Sequence, residues 1–224
     1  MVLSALEALH REIVACRRCP RLVAWREEVG RKKRRAFRDW DYWAKPVPGF
    51  GDPQARLLIF GLAPGAHGAN RTGRVFTGDA SGDFLYAALY RAGLANQPTS
   101  THREDGLRLF GVYITAAVRC VPPKNKPTRE EIQACSRWTE RELALLPNLR
   151  VFLALGRIAH DALLDHFGLR KREYPFAHGA EYPLPEGKVL LDSYHVSRQN
   201  TQTGRLTPEM FDRVLKRAKE LAEL

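Results

Sequence analysis

Apolar residues recur in this chain with two different rhythms. Near the start, Leu3, Leu6, Leu9 and Ile13 return at the spacing that lays one stripe of a helix against a core. Four short apolar runs follow: Arg56–Phe60 (RLLIF), Val112–Val118 (VYITAAV), Val151–Leu155 (VFLAL) and Val189–Leu191 (VLL). Each is bounded by Gly, Pro or charge, and none alternates cleanly, as befits strands buried on both faces. Between and after them lie helical segments, Ser81–Ala92, Thr128–Leu145, Arg157–Phe167 and Thr207–Leu221. Two open on strong start signals, Thr128-Arg129-Glu130-Glu131 behind Pro127 and Thr207-Pro208-Glu209. Strands alternating with helices predict an α/β sandwich on a mostly parallel, four-stranded sheet. In such sheets ligands bind beyond the carboxyl ends of the strands.

Those strand ends carry the chemistry. The first run leads into Gly61-Leu62-Ala63-Pro64-Gly65-Ala66-His67-Gly68, and Gly73 to Gly82 (GRVFTGDASG) comes soon after. Arg119-Cys120 and the Pro-rich stretch around Asn125 follow the second run. The third ends in Gly156-Arg157-Ile158-Ala159, straight into a helix, and the fourth in Asp192-Ser193-Tyr194-His195. The glycine turn matches neither the dinucleotide fingerprint nor the P-loop, and no G-x-S-x-G elbow occurs. A glycine turn alone is a tight turn; beside a His and an Asn on neighbouring strand ends it outlines a pocket.

At 224 residues the chain can bury one good core, so a single domain over 1–224 is expected. No apolar run approaches the roughly 20 residues of a membrane span. The opening segment reads as an amphipathic helix rather than a secretion signal, which places the protein in the cytoplasm. Lys and Arg number 36 against 25 Asp and Glu, a net charge of +11. That balance favours a polyanion, and nucleic acid is the commonest. The run Arg31-Lys32-Lys33-Arg34-Arg35 before Asp39-Trp40-Asp41-Tyr42-Trp43 is either a solvated face or a DNA-contacting arm.

All four cysteines fall into two pairs, Cys16-x2-Cys19 and Cys120-x14-Cys135. In a reducing compartment a disulfide framework is disfavoured, and the pattern reads as a tetrathiolate site. Spacing does not choose zinc from an iron–sulfur cluster. Either would pin the N-terminal helix beside the Asn125 loop and serve structure rather than chemistry.

Taken together, GLAPG at Gly61–Gly65, Phe76 ahead of Thr77-Gly78-Asp79, Val118-Arg119-Cys120 leading to Asn125, and His195-Val196-Ser197-Arg198-Gln199-Asn200 resemble the uracil-DNA glycosylase superfamily. The four cysteines resemble its iron–sulfur branch, and GLAPG its fifth family, type B, rather than the fourth, which usually has GEAPG. The resemblance runs from Cys16 to about Arg205. It implies a three-layer α/β/α fold and a structural 4Fe–4S cluster on Cys16, Cys19, Cys120 and Cys135. The implied substrate is double-stranded DNA with a damaged base, which a monomer would flip out and release as uracil or another deaminated base, leaving an abasic site.

The residues read sensibly against that chemistry. Gly61, Leu62, Ala63 and Gly65 would line the pocket. Phe76 would stack on the flipped ring, or else is a core residue. Asn125 offers a donor and an acceptor to a pyrimidine edge; Asn is also an ordinary turn residue. His195 would donate to the departing base, where charge builds. Ser197, Arg198, Gln199, Asn200, Thr201 and Arg205 would meet the duplex. Many relatives place Asp or Asn before the motif's Pro; here that residue is Ala63, preceded by Leu62 where the fourth family has Glu. Asp79 matches the residue given the acidic role in type B enzymes, and reads equally as a helix N-cap. The lysines near these motifs, Lys124 and Lys126, flank Asn125, so no Schiff-base nucleophile stands out and a monofunctional enzyme is expected.

Two rivals stand beside this reading. One is a non-catalytic nucleic-acid-binding protein with a structural tetracysteine zinc site. The other is a zinc deaminase, which would need a P-C-x-x-C motif, and no Pro precedes Cys16.

Overall fold

A strand turns successive side chains to opposite faces, so an unbroken apolar run needs cover on both sides. The computed structural model, which describes all 224 residues, supplies that cover. Its sheet has six strands, β1 (Phe50–Gly51), β2 (Leu57–Gly61), β3 (Val112–Ala116), β4 (Val151–Leu155), β5 (Glu181–Pro183) and β6 (Val189–Ser193). They lie in the order β1-β3-β2-β4-β6-β5, with the four inner strands parallel. The expected four-stranded sheet is thus extended by two antiparallel edges. Two or three residues are too few to show a period, which is why these edges do not stand out in the chain.

Eight helices accompany the sheet: α1 (Val2–Val14), α2 (Pro20–Lys32), α3 (Ala69–Thr72), α4 (Ala80–Arg91), α5 (Arg129–Ala144), α6 (Arg157–His166), α7 (Arg198–Gln202) and α8 (Pro208–Ala222). On one face Leu57, Ile59, Val112, Ile114, Val151 and Leu153 pack with Leu85 and Leu89 of α4 and Phe211 and Leu215 of α8. On the other, Leu58, Phe60, Tyr113 and Phe152 meet Leu6 of α1, Leu143 of α5 and Leu163 of α6. The result is the three-layer α/β/α sandwich, with residues 57 and 59 facing one layer and 58 and 60 the other. The predicted capping box at Thr128 is present, Thr128 Oγ1 accepting from the Glu131 N–H at 3.1 Å and Glu131 accepting from the Thr128 N–H at 2.7 Å.

The first helix forms, but its buried stripe is Leu6, Leu9 and Ile13; Leu3, expected to share it, is 58% exposed in the first turn. A third apolar cluster joins Leu9 and Ile13 to Leu22 of α2, Val118, Cys120, Cys135 and Trp138. It sits beyond the carboxyl end of β3, so α1 and α2 are fastened next to the strand ends that hold the motifs. No helix is long and apolar enough to cross a membrane.

Candidate active site

Three turns at the carboxyl ends of β2 and β6 build the site. The first, Leu62 to Gly68, leaves β2 and stays registered to its neighbour: Gly61 and Leu62 carbonyls accept from the N–H groups of Ala117 and Val118, each at 3.0 Å. The second carries Phe76 and Asp79. Phe76 is held at φ +49°, a left-handed backbone that a bulky side chain rarely adopts. Strain of this kind persists only where the surroundings over-determine it, and here they do. Arg74, nearly buried, pairs with Asp105 at 2.9 Å and donates to Ser100 at 2.6 Å and Thr77 at 3.1 Å. The Tyr86 hydroxyl donates to the Val75 carbonyl at 2.8 Å, and Thr72 donates to the Thr77 carbonyl at 3.0 Å.

So braced, the Phe76 ring lies over Gly61. A methyl group on Gly61 would come within 2.7 Å of the ring, so only glycine lets the aromatic settle there. The Phe76 and His195 rings are 6.3 Å apart between centroids. Beneath His195 lies Gly156, at φ +93°, whose absent side chain would meet His195 Cβ at 3.3 Å. The third turn is fixed by Asn200, whose amide donates to the His195 carbonyl at 2.9 Å. No hydrogen bond satisfies the His195 ring within the protein, and its removal from water pushes its pKa down to about 4. At neutral pH it is therefore an uncharged imidazole with an N–H to donate.

Asp79 is the N-cap of α4: Oδ1 accepts from the Gly82 N–H at 3.0 Å. The other oxygen, Oδ2, faces the glycine turn. A methyl group on Gly68 would lie 2.1 Å from Oδ2, and one on Gly65 2.8 Å. One carboxylate thus caps a helix with one oxygen and presents the second to the turn from β2. Burial raises its pKa above the ordinary aspartate range, outweighing the Gly82 hydrogen bond and Arg71.

The structure therefore brings Gly61, Gly65, Phe76, Asp79 and His195 together. Leu62 and Ala63 are half-buried in the same turn, and Ala63 packs against the cysteine-bearing cluster. Asn125 is exposed beyond β3 at φ +56°, next to Lys124 at φ +54°, and no hydrogen bond ties its side chain to the others. The segment Ser197–Arg205, whose side chains were expected to meet the duplex, contains α7. Ser197 caps it by accepting from the Asn200 N–H at 3.3 Å. Arg198, Gln199 and Arg205 are exposed, Thr201 is half-buried, and the Arg205 guanidinium lies 4.7 Å from the Tyr194 ring centre.

Sequence reasoning missed several supports. Arg71 is buried, donating to the carbonyls of His67 at 2.6 Å and Gly78 at 2.7 Å, so it ties the first turn to the second. Nothing in the local pattern marks a buried arginine. Gly68 and Gly156 were visible as glycines, but only their neighbours reveal why no side chain fits.

The four cysteines line one pocket with Arg26, Arg119 and Trp138, and none forms a disulfide. Burial pushes the thiols of Cys120 and Cys135 up to about 12 and about 11. No three Cys, His, Asp or Glu side chains converge as tightly as a single ion requires. Arg26 is 2% exposed and pairs with no carboxylate; one nitrogen donates to Cys120 Sγ at 3.1 Å and to the Cys16 carbonyl at 3.1 Å, while its Nε has no partner. A buried cation so placed calls for negative charge at the sulfurs.

The comparisons with known proteins agree with this geometry. Residues 48–219 match the model of the uracil DNA glycosylase superfamily. The chain is 70% identical to a type-5 uracil-DNA glycosylase of Thermus thermophilus, over 97% of this chain and 99% of that one. It is 53% identical to a type-5 uracil-DNA glycosylase of Mycobacterium leprae, over 97% and 96%. A type-4 uracil-DNA glycosylase of Pyrobaculum aerophilum is 32% identical, over 85% and 82%. With the motif turns meeting at one sheet edge and the family match spanning most of the chain, the protein belongs to the uracil-DNA glycosylase superfamily.

Proposed function

We propose that this protein is a type-5 uracil-DNA glycosylase, a DNA-repair hydrolase that cleaves the N-glycosidic bond of uracil in double-stranded DNA and leaves an abasic site. The observation that carries the assignment is the meeting of Phe76, His195 and Asp79 around the glycine turn after β2. A flipped base needs a stacking surface, a donor at the leaving group and a negative or water-orienting group near the sugar. Phe76 supplies the first, in a fixed pose. Neutral His195 supplies the second: its N–H donates to O2 of the base as charge accumulates there. Asp79 Oδ2 supplies the third, placing charge near the sugar or holding the attacking water. Gly61, Leu62, Ala63 and Gly65 form the wall, and Asn125 reads the pyrimidine edge once the DNA is bound. Ser197, Arg198, Gln199, Asn200, Thr201 and Arg205 face the duplex; of these, Asn200 and Ser197 also hold the loop itself. Small Ala63, Gly65 and Ala66 leave room for deaminated bases other than uracil.

Lys124 and Lys126 are exposed, and neither is paired with a group that would make it a nucleophile, so the enzyme is monofunctional. Cys16, Cys19, Cys120 and Cys135 would hold a structural 4Fe–4S cluster. The four line one pocket, and the buried, carboxylate-free guanidinium of Arg26 answers the negative charge such a cluster would bring to the sulfurs. Bound there, the cluster supplies no chemistry to the reaction; it fastens α1, α2 and α5 behind the strand ends.

The test is incubation with a uracil-containing duplex followed by alkali. Strand cleavage only after alkali supports a monofunctional glycosylase, and an uncut strand refutes the assignment.

A further inference from the structure

The basic run takes a definite shape. Arg31 and Lys32 end α2, Lys33 turns the chain at φ +56°, and Arg34, Arg35 and Arg38 lie in or beside a 3-10 turn over Arg35–Phe37. These six cations line one concavity of about 450 Å³ to which no other residue contributes. Lys32 pairs with Glu28 at 2.6 Å, and Lys33 donates to the Trp40 carbonyl at 2.5 Å. Arg31, Arg34, Arg35 and Arg38 are exposed and enter none of the protein's ion pairs. Cations at a helix C-terminus answer its dipole, which accounts for Arg31 and Lys32 but not for the three arginines beyond the helix.

The concavity is also bolted to the active site. The Arg34 N–H donates to the Tyr42 hydroxyl at 3.2 Å, and that hydroxyl bonds His67 Nδ1 in the glycine turn at 2.8 Å. Arg71, which ties His67 to Gly78, carries Phe37 and Trp40 against its guanidinium at 3.7 and 4.1 Å from the ring centres. The backbone N–H groups of Trp43 and Ala44 donate to the carbonyls of Arg71 and Asn70 at 3.0 and 2.9 Å. A merely solvated face needs no such anchorage to the catalytic turns.

We propose that this concavity is a second phosphate-binding surface, gripping the DNA backbone outside the flipped nucleotide at a distance from Asp79 fixed by Tyr42 and Arg71. It rests on the uracil-DNA glycosylase reading for the identity of the polyanion. Its contacts are to phosphate and so are independent of sequence.

The test measures binding of an undamaged duplex against salt. Each phosphate contact adds about 0.9 to the slope of log affinity on log salt. Replacing Arg31, Arg34, Arg35 and Arg38 by Gln should make that slope shallower by up to about 3.6, four contacts at about 0.9 each. The double variant R34Q/R35Q should give about half that change. A control variant removes the same charge outside the concavity, through Arg56, Arg150, Arg172 and Lys188→Gln, and should keep the wild-type slope. Melting curves establish that each variant is folded. An unchanged slope in both arginine variants, or an equal flattening in the control, overturns the surface. Uracil excision plays no part in this readout, so a wild-type protein that excised nothing yet showed the patch-specific slope would refute the proposed activity and leave the surface standing.

Discussion

Replacing Asp79 by Asn separates two jobs that one side chain performs. Asn is as good an N-cap as Asp, so it keeps the bond from Oδ1 to the Gly82 N–H at 3.0 Å. It removes the charge at Oδ2, the oxygen that would lie 2.1 Å from a methyl group on Gly68. Asp79→Asn should therefore melt close to wild type while its single-turnover rate of uracil excision falls on the order of a hundredfold, the usual cost of losing one preorganised electrostatic group. Asp79→Ala loses both, so it should show the same slow rate and a loss of about 1 kcal/mol, a fall in Tm of about 2–4 °C for a chain of this size. Gly68→Ala approaches the same failure from the other side by driving Oδ2 out of place. The pH profile adds an independent reading. Because burial raises the Asp79 pKa, its charge is lost on acidification before that of an ordinary carboxylate, while His195, with a pKa of about 4, stays neutral through most of that range. The wild-type rate should fall on the acid side, and Asp79→Asn should flatten that limb. Rapid-quench single-turnover kinetics and calorimetry on the same preparations decide the matter. An Asp79→Asn variant with full rate would reduce Asp79 to a helix cap.

Three further outcomes are expected. Glu142, fully buried against Arg119 at 2.9 Å and Tyr113 at 2.7 Å, has its pKa drawn down to about 2 from 4.5 despite its burial. The folded pKa lies below the unfolded one, so its contribution, of order 3 kcal/mol, is present above pH 4.5 and is lost as pH falls toward 2; Glu142→Gln should flatten the acid limb of stability measured by denaturant titration. Aerobically purified protein should be brown with about four irons per chain, whereas colourless protein with one zinc would replace the cluster and leave the fold intact; Cys120→Ala should cost solubility and stability more than base preference. Borohydride should trap no covalent adduct with substrate DNA, and a trapped adduct would make the enzyme bifunctional.

The four inner strands were legible because a strand buried on both faces announces itself as an uninterrupted apolar run. α2 was not. Its buried side, Leu22, Val23, Arg26 and Val29, includes an arginine, and most of the second half of the helix is charged, so the apolar stripe is too thin to read. The clue was Pro20 directly after Cys19, a proline at the first helical position. Leu3 shows the opposite error: it fits the periodicity of α1 but falls in the exposed first turn. The site divides similarly. Glycine turns, His195 and Asp79 are marked by residue type and position after strands. Arg71, Arg74 and Arg26 do their work because they are buried, and burial of a cation depends on partners far away in sequence, such as Asp105 for Arg74 and Cys120 for Arg26. Asp79 caps α4 with one oxygen while the other faces the turn, so the two roles the sequence offered do not exclude each other.

The most direct test of the account is the single-turnover rate of His195→Ala on a uracil-containing duplex, with enzyme in excess and binding of the same duplex measured in parallel. His195 sits between Phe76 and Gly156 as a neutral donor with no partner inside the protein. Its removal should slow excision on the order of a hundredfold or more while leaving duplex affinity near wild type. A variant that excised uracil at the wild-type rate would contradict the placement of the leaving group at His195, and with it the reading of the turns after β2 and β6 as the catalytic pocket.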